Sequence, residues 1–486
     1  MTLYHQVPEF ASVPALVADT MLRYDGAGAV IPGDRVRTVE ERFVYRVAAA
    51  ASDCDIETAG GVRLRAVALD GRSWTPAQFD APLDGVTNAD AALQKLASRV
   101  GAGHTVDLGG GTFVHTRPLA FAAAAVAVTV RNGRLKIFSA RRFCAAIVAR
   151  DGMTIRDITI EGDGEVGTEG SERHLIGIWG GASGYAGPDF EAGLQQAPAQ
   201  RVTIDNVTVT KTTVGISCAW AATDAEQSGW RITHCRFLDI VGSRTAGGSE
   251  GCGIAVGRMS DYSVSGCVFD NISRHAFHHG SHGARWRFVD NRIRNTGDVA
   301  IQVKVEDTQA YAHGFVIADN IIEGVTRSLT AAVGIGIYGK AQDFTVARNR
   351  IRAVARTGID IAPSGSATAY GFDADCLDND VVMPADTASV QAAIRYTALS
   401  GRCCGNLCFV QNVAYGLHIH SGLGSSTQKI FVRRNTVRAT HAGATAFRVA
   451  VNAPRAVDIF ENDLDGFAAA NRIRDTSTAG TIVTDL

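Results

Sequence analysis

The chain has 486 residues, with 47 Lys or Arg against 49 Asp or Glu and a formal net charge of −2. That balance argues against a dominant nucleic-acid surface, though not against a local basic groove, and the longest apolar run, "LAFAAAAVAVTV" from Leu119, is too short to span a bilayer. The length exceeds one ordinary compact domain, a limit that does not apply to a stacked repeat.

Residues 1–76 alternate short apolar stretches with turns and show no repeat, so a small β-rich domain is expected there. The opening "MTLYHQVPEF" has neither a basic segment nor an apolar one after it, and no signal peptide is visible. A helix is expected over 88–100, capped by Thr87 or Asn88, with Ala92, Leu93, Leu96 and Val100 as its apolar face. The turn Gly109-Gly110-Gly111-Thr112 follows it.

From near residue 105 to 475 a short pattern repeats. Asparagine returns at Asn206, Asn291, Asn320, Asn349, Asn379, Asn412, Asn435 and Asn462, each followed by branched apolar residues. The first two steps after Asn291 are 29 residues, the others range from 23 to 33, and His234 and Gly266 fill the matching positions between Asn206 and Asn291. A second landmark, glycine followed by an alternating apolar run, keeps pace at Gly215, Gly253, Gly334, Gly358 and Gly416. The alternation is strand periodicity, as in "RVTIDNVTVT" and "FVIADNIIEG". Three short strands per unit read as a parallel β-helix of about ten coils. The asparagines suit turns because they tolerate a left-handed backbone, and their stacked amides are able to bond one another as a ladder. Residues 476–486 are expected to form a C-terminal tail.

Asp84-Gly85-Val86-Thr87, the helix and Gly109-Gly110-Gly111-Thr112, in that order, resemble the opening of the pectate-lyase-like right-handed parallel β-helix superfamily, which includes phage tailspike depolymerases. The resemblance covers residues 77–475 and implies a right-handed, helix-capped coil stack, all-β in class. Residues 1–76 are similar to tailspike adaptor segments, which implies a homotrimer and an extracellular or virion-associated location. No catalytic residue is carried over by it.

A solenoid stacks equivalent residues, so the landmark strand can be read as columns. The residue after each glycine should point inward and the next outward. The first outward column is then Trp179, Ser217, Ala255, His278, Gln302, Gly336, Asp360, Arg395 and His418. The next is Ala219, Gly257, Gly280, Lys304, Tyr338, Ala362, Thr397 and His420. Early coils present small residues and later ones present chemistry. Trp179 and Trp220 either stack on sugar rings or pack under the loops. Asp360 and Arg395 in adjacent coils equally suit a structural ion-pair ladder.

The cluster His275, His278, His279 and His282 looks metal-binding, but alternation sends His279 inward and His278 outward, and no metal site is expected. Cys235 and Cys267 match between coils and read as core thiols, while "RCCGNLC" lacks paired zinc spacing. No cofactor is fixed. Glu306 and Asp307, past a strand end, are of the type that binds calcium, acts as an acid or closes a turn.

An elongated polar face of this kind suits a polysaccharide. The favoured expectation is a depolymerase acting on an acidic glycan by β-elimination, with Lys304, Tyr338, His278 and Asp360 as catalytic candidates. Lys304 beside Tyr338 is expected to lower the phenol's pKa. Arg395, His418, His420, Gln302, Trp179, Trp220 and Glu306 are candidates for binding substrate. A glycoside hydrolase is the alternative; it requires two carboxyls about 5–9.5 Å apart, and the columns supply only Asp360, so the second would come from Glu250, Asp298 or Glu306 or from a neighbouring subunit. A non-catalytic glycan-binding fibre is the third reading.

Overall fold

The computed structural model describes residues 7–25, 29–165, 173–181, 189–218, 225–242, 250–306, 309–325, 332–362, 372–384, 391–398, 400–411, 415–421, 429–441, 443–464, 467–476 and 479–485. Trp220, Ala219, Asp307 and Asn412 lie outside these residues.

Alternating stretches before residue 70 build a mixed five-stranded sheet, ordered Glu9–Phe10, Arg35–Thr38, Val44–Val47, Arg63–Ala66, Ile56–Glu57. Ser73–Trp74 then pairs with Thr105–Val106 and begins the coils. The helix spans Asp90–Arg99 and buries Ala92, Leu93, Leu96 and Ala97. Its first N–H donates to Asn88 Oδ1 at 2.6 Å. Arg99 ties the helix to the N-terminal sheet region through Asp53 and Asp55, at 2.8 and 2.9 Å.

Beyond it the chain winds as a right-handed parallel β-helix, its strands joined into one 40-stranded sheet. Two alternating runs supply most of the coil: a landmark strand, such as Val333–Gly339, and a ladder segment, such as Ala341–Ala347 followed by Arg350–Val354. Ala479–Asp485, expected as a tail, instead pairs in parallel with Thr445–Phe460, because "GTIVT" continues the strand alternation one coil further.

Successive coils are locked by asparagine. The backbone N–H and Nδ2 of Asn320 both donate to Asn349 Oδ1, at 3.1 and 2.9 Å, and Nδ2 also donates to Phe288 O at 3.0 Å. The same triple contact links Asn291, Asn320, Asn349, Asn379, Asn406, Asn435 and Asn462. The ladder member of its coil is therefore Asn406, not Asn412. Nor do these asparagines hold the left-handed turn. That conformation falls one residue earlier, at Asp290 (φ 56°), Asp319 (φ 60°), Arg348 (φ 52°) and Asp378 (φ 53°). Asn206, His234 and Gly266 belong to this earlier column, with φ of 51°, 52° and 64°. Cys235 and Cys267 fill the ladder position in their coils, and the Cys267 N–H donates to Asn291 Oδ1 at 2.9 Å. Asparagine is selected here for a buried amide that donates and accepts along the stack.

The landmark glycines face inward. A Cβ on Gly215 would sit 2.3 Å from Gly253 O and 2.5 Å from the Phe237 ring, so the landmark strand and the ladder segment approach only where a side chain is missing. The core between them includes the ring stack Trp286, Phe315 and Phe344, with centroids 4.4 and 4.9 Å apart. All ten cysteines are free thiols, and Cys235, Cys267, Cys376, Cys403 and Cys408 are buried.

Asn349→Ala should lower stability by about 2–4 kcal/mol, because it strips the acceptor from two Asn320 donors and the donor from Ile317 O. Asn206→Gly, at a left-handed position outside the ladder, should change it little. Urea midpoints compare the two; equal losses would mean that the ladder carries no special weight.

Candidate active site

The strand register reproduces the first outward column step by step. Trp179 pairs with Ser217, Ser217 with Ala255, Ala255 with His278, His278 with Gln302, Gln302 with Gly336, Gly336 with Asp360, Asp360 with Arg395 and Arg395 with His418. It then runs on to Arg448 and Arg474. Adjacent members are about 4.8 Å apart along the axis.

Not every member faces outward freely. Trp179 is buried, and its indole N–H donates to Leu194 O at 2.9 Å, so it packs beneath the 189–199 segment instead of lining a groove. With Ala145, Val148, Ile176, Val214, Cys252 and Ala255 it forms a second apolar cluster outside the helical core. The early coils are thus covered, and polar groups begin at His278.

Lys304 and Tyr338 are register partners, with Lys304 exposed. The Tyr338 ring nevertheless turns toward the later coils. A Cβ on Gly336 would lie 2.6 Å from the phenol oxygen, so the ring occupies the place a larger residue would take. Its hydroxyl donates to Asp360 Oδ2 at 3.4 Å. Asp360 is buried and gripped from the other side by Arg395, with Nε–Oδ1 at 2.5 Å and Nη2–Oδ2 at 2.6 Å. Burial raises the carboxyl's pKa and the guanidiniums of Arg395 and Arg356 oppose that. Burial, then the Asp360 charge, drive the Tyr338 phenol well above its usual value. The expected lowering of this pKa by Lys304 is therefore reversed, since the phenol has moved beside an anion. Tyr338 keeps its proton.

Further along, His418 lies between Arg395 and Arg448 in register. Burial, with Arg448, His420 and Arg395 around it, holds its pKa down at about 4, and its enclosed Nε2 has no hydrogen-bond partner among the described residues. His420 stands edge-on to it at 6.0 Å and is also lowered by burial and the same arginines. The Tyr415 ring is 5.7 Å from His418 and carries the Arg448 guanidinium over its face at 5.3 Å. Neither Tyr415 nor Arg448 was reached from the sequence. Tyr415 directly precedes the landmark glycine Gly416, a position that proves to face outward, and Arg448 extends the column by one coil.

The remaining candidates are dispersed. Glu306 is exposed at the end of its strand. Glu250 is buried with Oε1 2.8 Å from His174 Nε2, and Asp298 lies 3.6 Å from Arg274. His279 packs inward on Trp286 and meets the Tyr262 hydroxyl at 2.9 Å, while His275 Nδ1 meets Val299 O at 2.9 Å. Among the described residues no group of three His, Cys, Asp or Glu side chains is arranged to hold a metal ion.

Residues 192–373 match the family model described as the right handed beta helix region. A mutant of the tailspike protein of E. coli bacteriophage HK620, solved with a hexasaccharide, superposes with a TM-score of 0.53 at 13% identity over 83% of this chain and 75% of that one. The Agl-KA catalytic domain gives 0.50 at 12% identity over 87% of this chain and 72% of that one. At these identities the likeness is one of fold, and it places the chain among right-handed parallel β-helix proteins. No curated protein is detectably similar in sequence. Among the described residues no helix is long and apolar enough to cross a membrane.

Burial depresses His275 to about 3, His279 to about 3 and His418 to about 4, against 6.5 for a free imidazole. The unfolded chain therefore binds more protons between these values, and stability rises with pH there. It should be full above about pH 6.5 and decline as pH falls toward 4 and then 3. Urea midpoints read across that window check this; a flat profile from 6.5 to 4 would contradict it.

Proposed function

We propose that the outward face running from His278 to Arg448 binds an acidic polysaccharide along the helix axis and cleaves it by β-elimination. One observation carries the reading: a half-buried imidazole held neutral, His418, stands between two guanidiniums of its own column, Arg395 and Arg448. In this reading Arg448, helped by the outer edge of Arg395, neutralises the uronate carboxylate, which acidifies the adjacent C5 proton. His418 takes that proton. The electron pair forms the C4–C5 double bond, the C4–O bond breaks, and the Tyr415 hydroxyl gives its proton to the departing oxygen.

Tyr338 and Asp360 serve this centre by fixing Arg395. Their arrangement also speaks against the hydrolytic alternative: the column's one carboxylate is buried and clamped between a guanidinium and a phenol, leaving no pair of opposed carboxyls among the described column residues. Lys304, Gln302 and His278 extend the binding face toward the early coils. An extracellular or virion-associated homotrimer belongs to the same proposal, supported by an exposed Leu407 (42%) on a strand face that holds Phe409 beside it.

Incubation with a panel of acidic and neutral polysaccharides should yield near-ultraviolet-absorbing unsaturated ends from an acidic polymer only. His418→Ala and Tyr415→Phe should each slow turnover by about 10²–10⁴-fold, the scale of lost acid–base catalysis. Lys304→Met should affect KM alone. Saturated products would establish a hydrolase, and retained binding without cleavage a glycan-binding fibre.

A further inference from the structure

A second depression lies where the landmark strands end and the chain turns toward the ladder segment. Its floor is a short stack of strands, Gln227–Ser228, Met259–Ser260, Gly283–Ala284 and Ala312–His313. Gln227 is in register with Met259, and Gly283 with Ala312. One outward column of this stack is Ser228, Ser260, Ala284 and His313. Its neighbour is Glu226, Arg258, His282, Tyr311 and Lys340. Ala284 contributes only a methyl between Ser260 and His313, and the gap opens into a cavity of about 430 Å³ lined by Glu226, Ser260, His282, Ala284, Tyr311 and His313. That volume lies within the roughly 300–1,000 Å³ of small-molecule sites.

The polar groups around it are set in complementary roles. Ser260 bonds Glu226 Oε1 and accepts the Ala284 N–H at 2.7 Å, which leaves Glu226 Oε2 to accept from a ligand. Arg258 Nε donates to His282 Nε2 at 3.2 Å, so the imidazole proton resides on Nδ1. That Nδ1 is enclosed and has no hydrogen-bond partner among the described residues, an N–H donor lacking an acceptor. The rim cation Arg285 is spent on Asp261, at 2.7 and 2.8 Å. Tyr311 has the Lys340 ammonium over its ring at 5.8 Å and supplies an aromatic wall.

We infer that this cavity binds a neutral pyranose, with one hydroxyl donating to Glu226 and the sugar's C–H face against Tyr311. An anionic ligand would meet the Glu226 carboxylate with the nearby arginines already paired. A metal lacks ligands, since no group of three His, Cys, Asp or Glu side chains converges among the described residues. The site lies off the column that carries His418 and is independent of the reaction assigned to it.

Saturation-transfer NMR on the full chain with methyl glucopyranoside, methyl galactopyranoside and methyl glucuronide tests this. A neutral methyl pyranoside should receive saturation. Ala284→Leu, which fills the cavity without altering charge, should abolish the signal, and Glu226→Gln should weaken binding about tenfold. His418→Ala should leave it unchanged, so this result stands apart from that of the cleavage assay. Unchanged thermal midpoints would show that the variants fold. Signal surviving Ala284→Leu, signal from the glucuronide alone, or no signal at millimolar pyranoside would each overturn the inference.

Discussion

The outward surface of the later coils depends on the register between them, and from Asn291 to Asn462 that register rests on a buried amide. Each ladder asparagine from Asn320 to Asn462 satisfies a neighbour's backbone N–H and side-chain NH2 with one oxygen and caps an earlier carbonyl with its own nitrogen; at Asn349 the five contacts, to Asn379, Ile317 and Asn320, measure 2.9–3.1 Å. A slip of one residue would bury these groups without partners, at about 1–3 kcal/mol each, and would also turn every outward side chain inward. Columns of functional groups are therefore held about 4.8 Å apart over many coils by interactions that never reach the surface.

That rigidity concentrates charge without letting it discharge. Asp360 could not stay buried alone; Arg395 and the Tyr338 hydroxyl complete it, and Gly336 leaves the room that lets the ring reach across. The next coils then place His418 among arginines, where burial and positive neighbours disfavour its protonation together. In the proposed reaction the bound carboxylate offsets those positive charges, and only then does the neutral imidazole gain the basicity to take the neighbouring proton. The same logic, on a smaller scale, fixes the His282 tautomer beside Arg258.

Most of this was legible in the sequence because a solenoid turns position along the chain into position in space. The period and the first outward column, Trp179 through His418, follow from alternation. What the alternation does not encode is where a side chain bends. Tyr338 was assigned to Lys304 because their backbones pair, and its ring lies instead over Gly336, a choice made by side-chain torsions and by the missing Cβ. Asn406, 27 residues after Asn379 and 29 before Asn435, keeps the period better than Asn412 does. Tyr415 falls outside the columns because the landmark breaks strict alternation: Gly416 and Leu417 both face the core, so the residue before the glycine faces out. The cavity at Ala284 was invisible for a related reason, since it arises from one small residue between larger ones in neighbouring coils.

The structure of the protein with a bound acidic oligosaccharide tests the central claim, that the outward column is one continuous binding surface. The sugar chain should run parallel to the helix axis across Gln302, Asp360, Arg395 and His418, with a uronate carboxylate on Arg448 and its C5 facing the His418 imidazole. Density lying instead across the ladder-side ion pairs around Arg292, Arg294 and Glu323, or sugars crossing the coils at right angles with no carboxylate near Arg448, would contradict it.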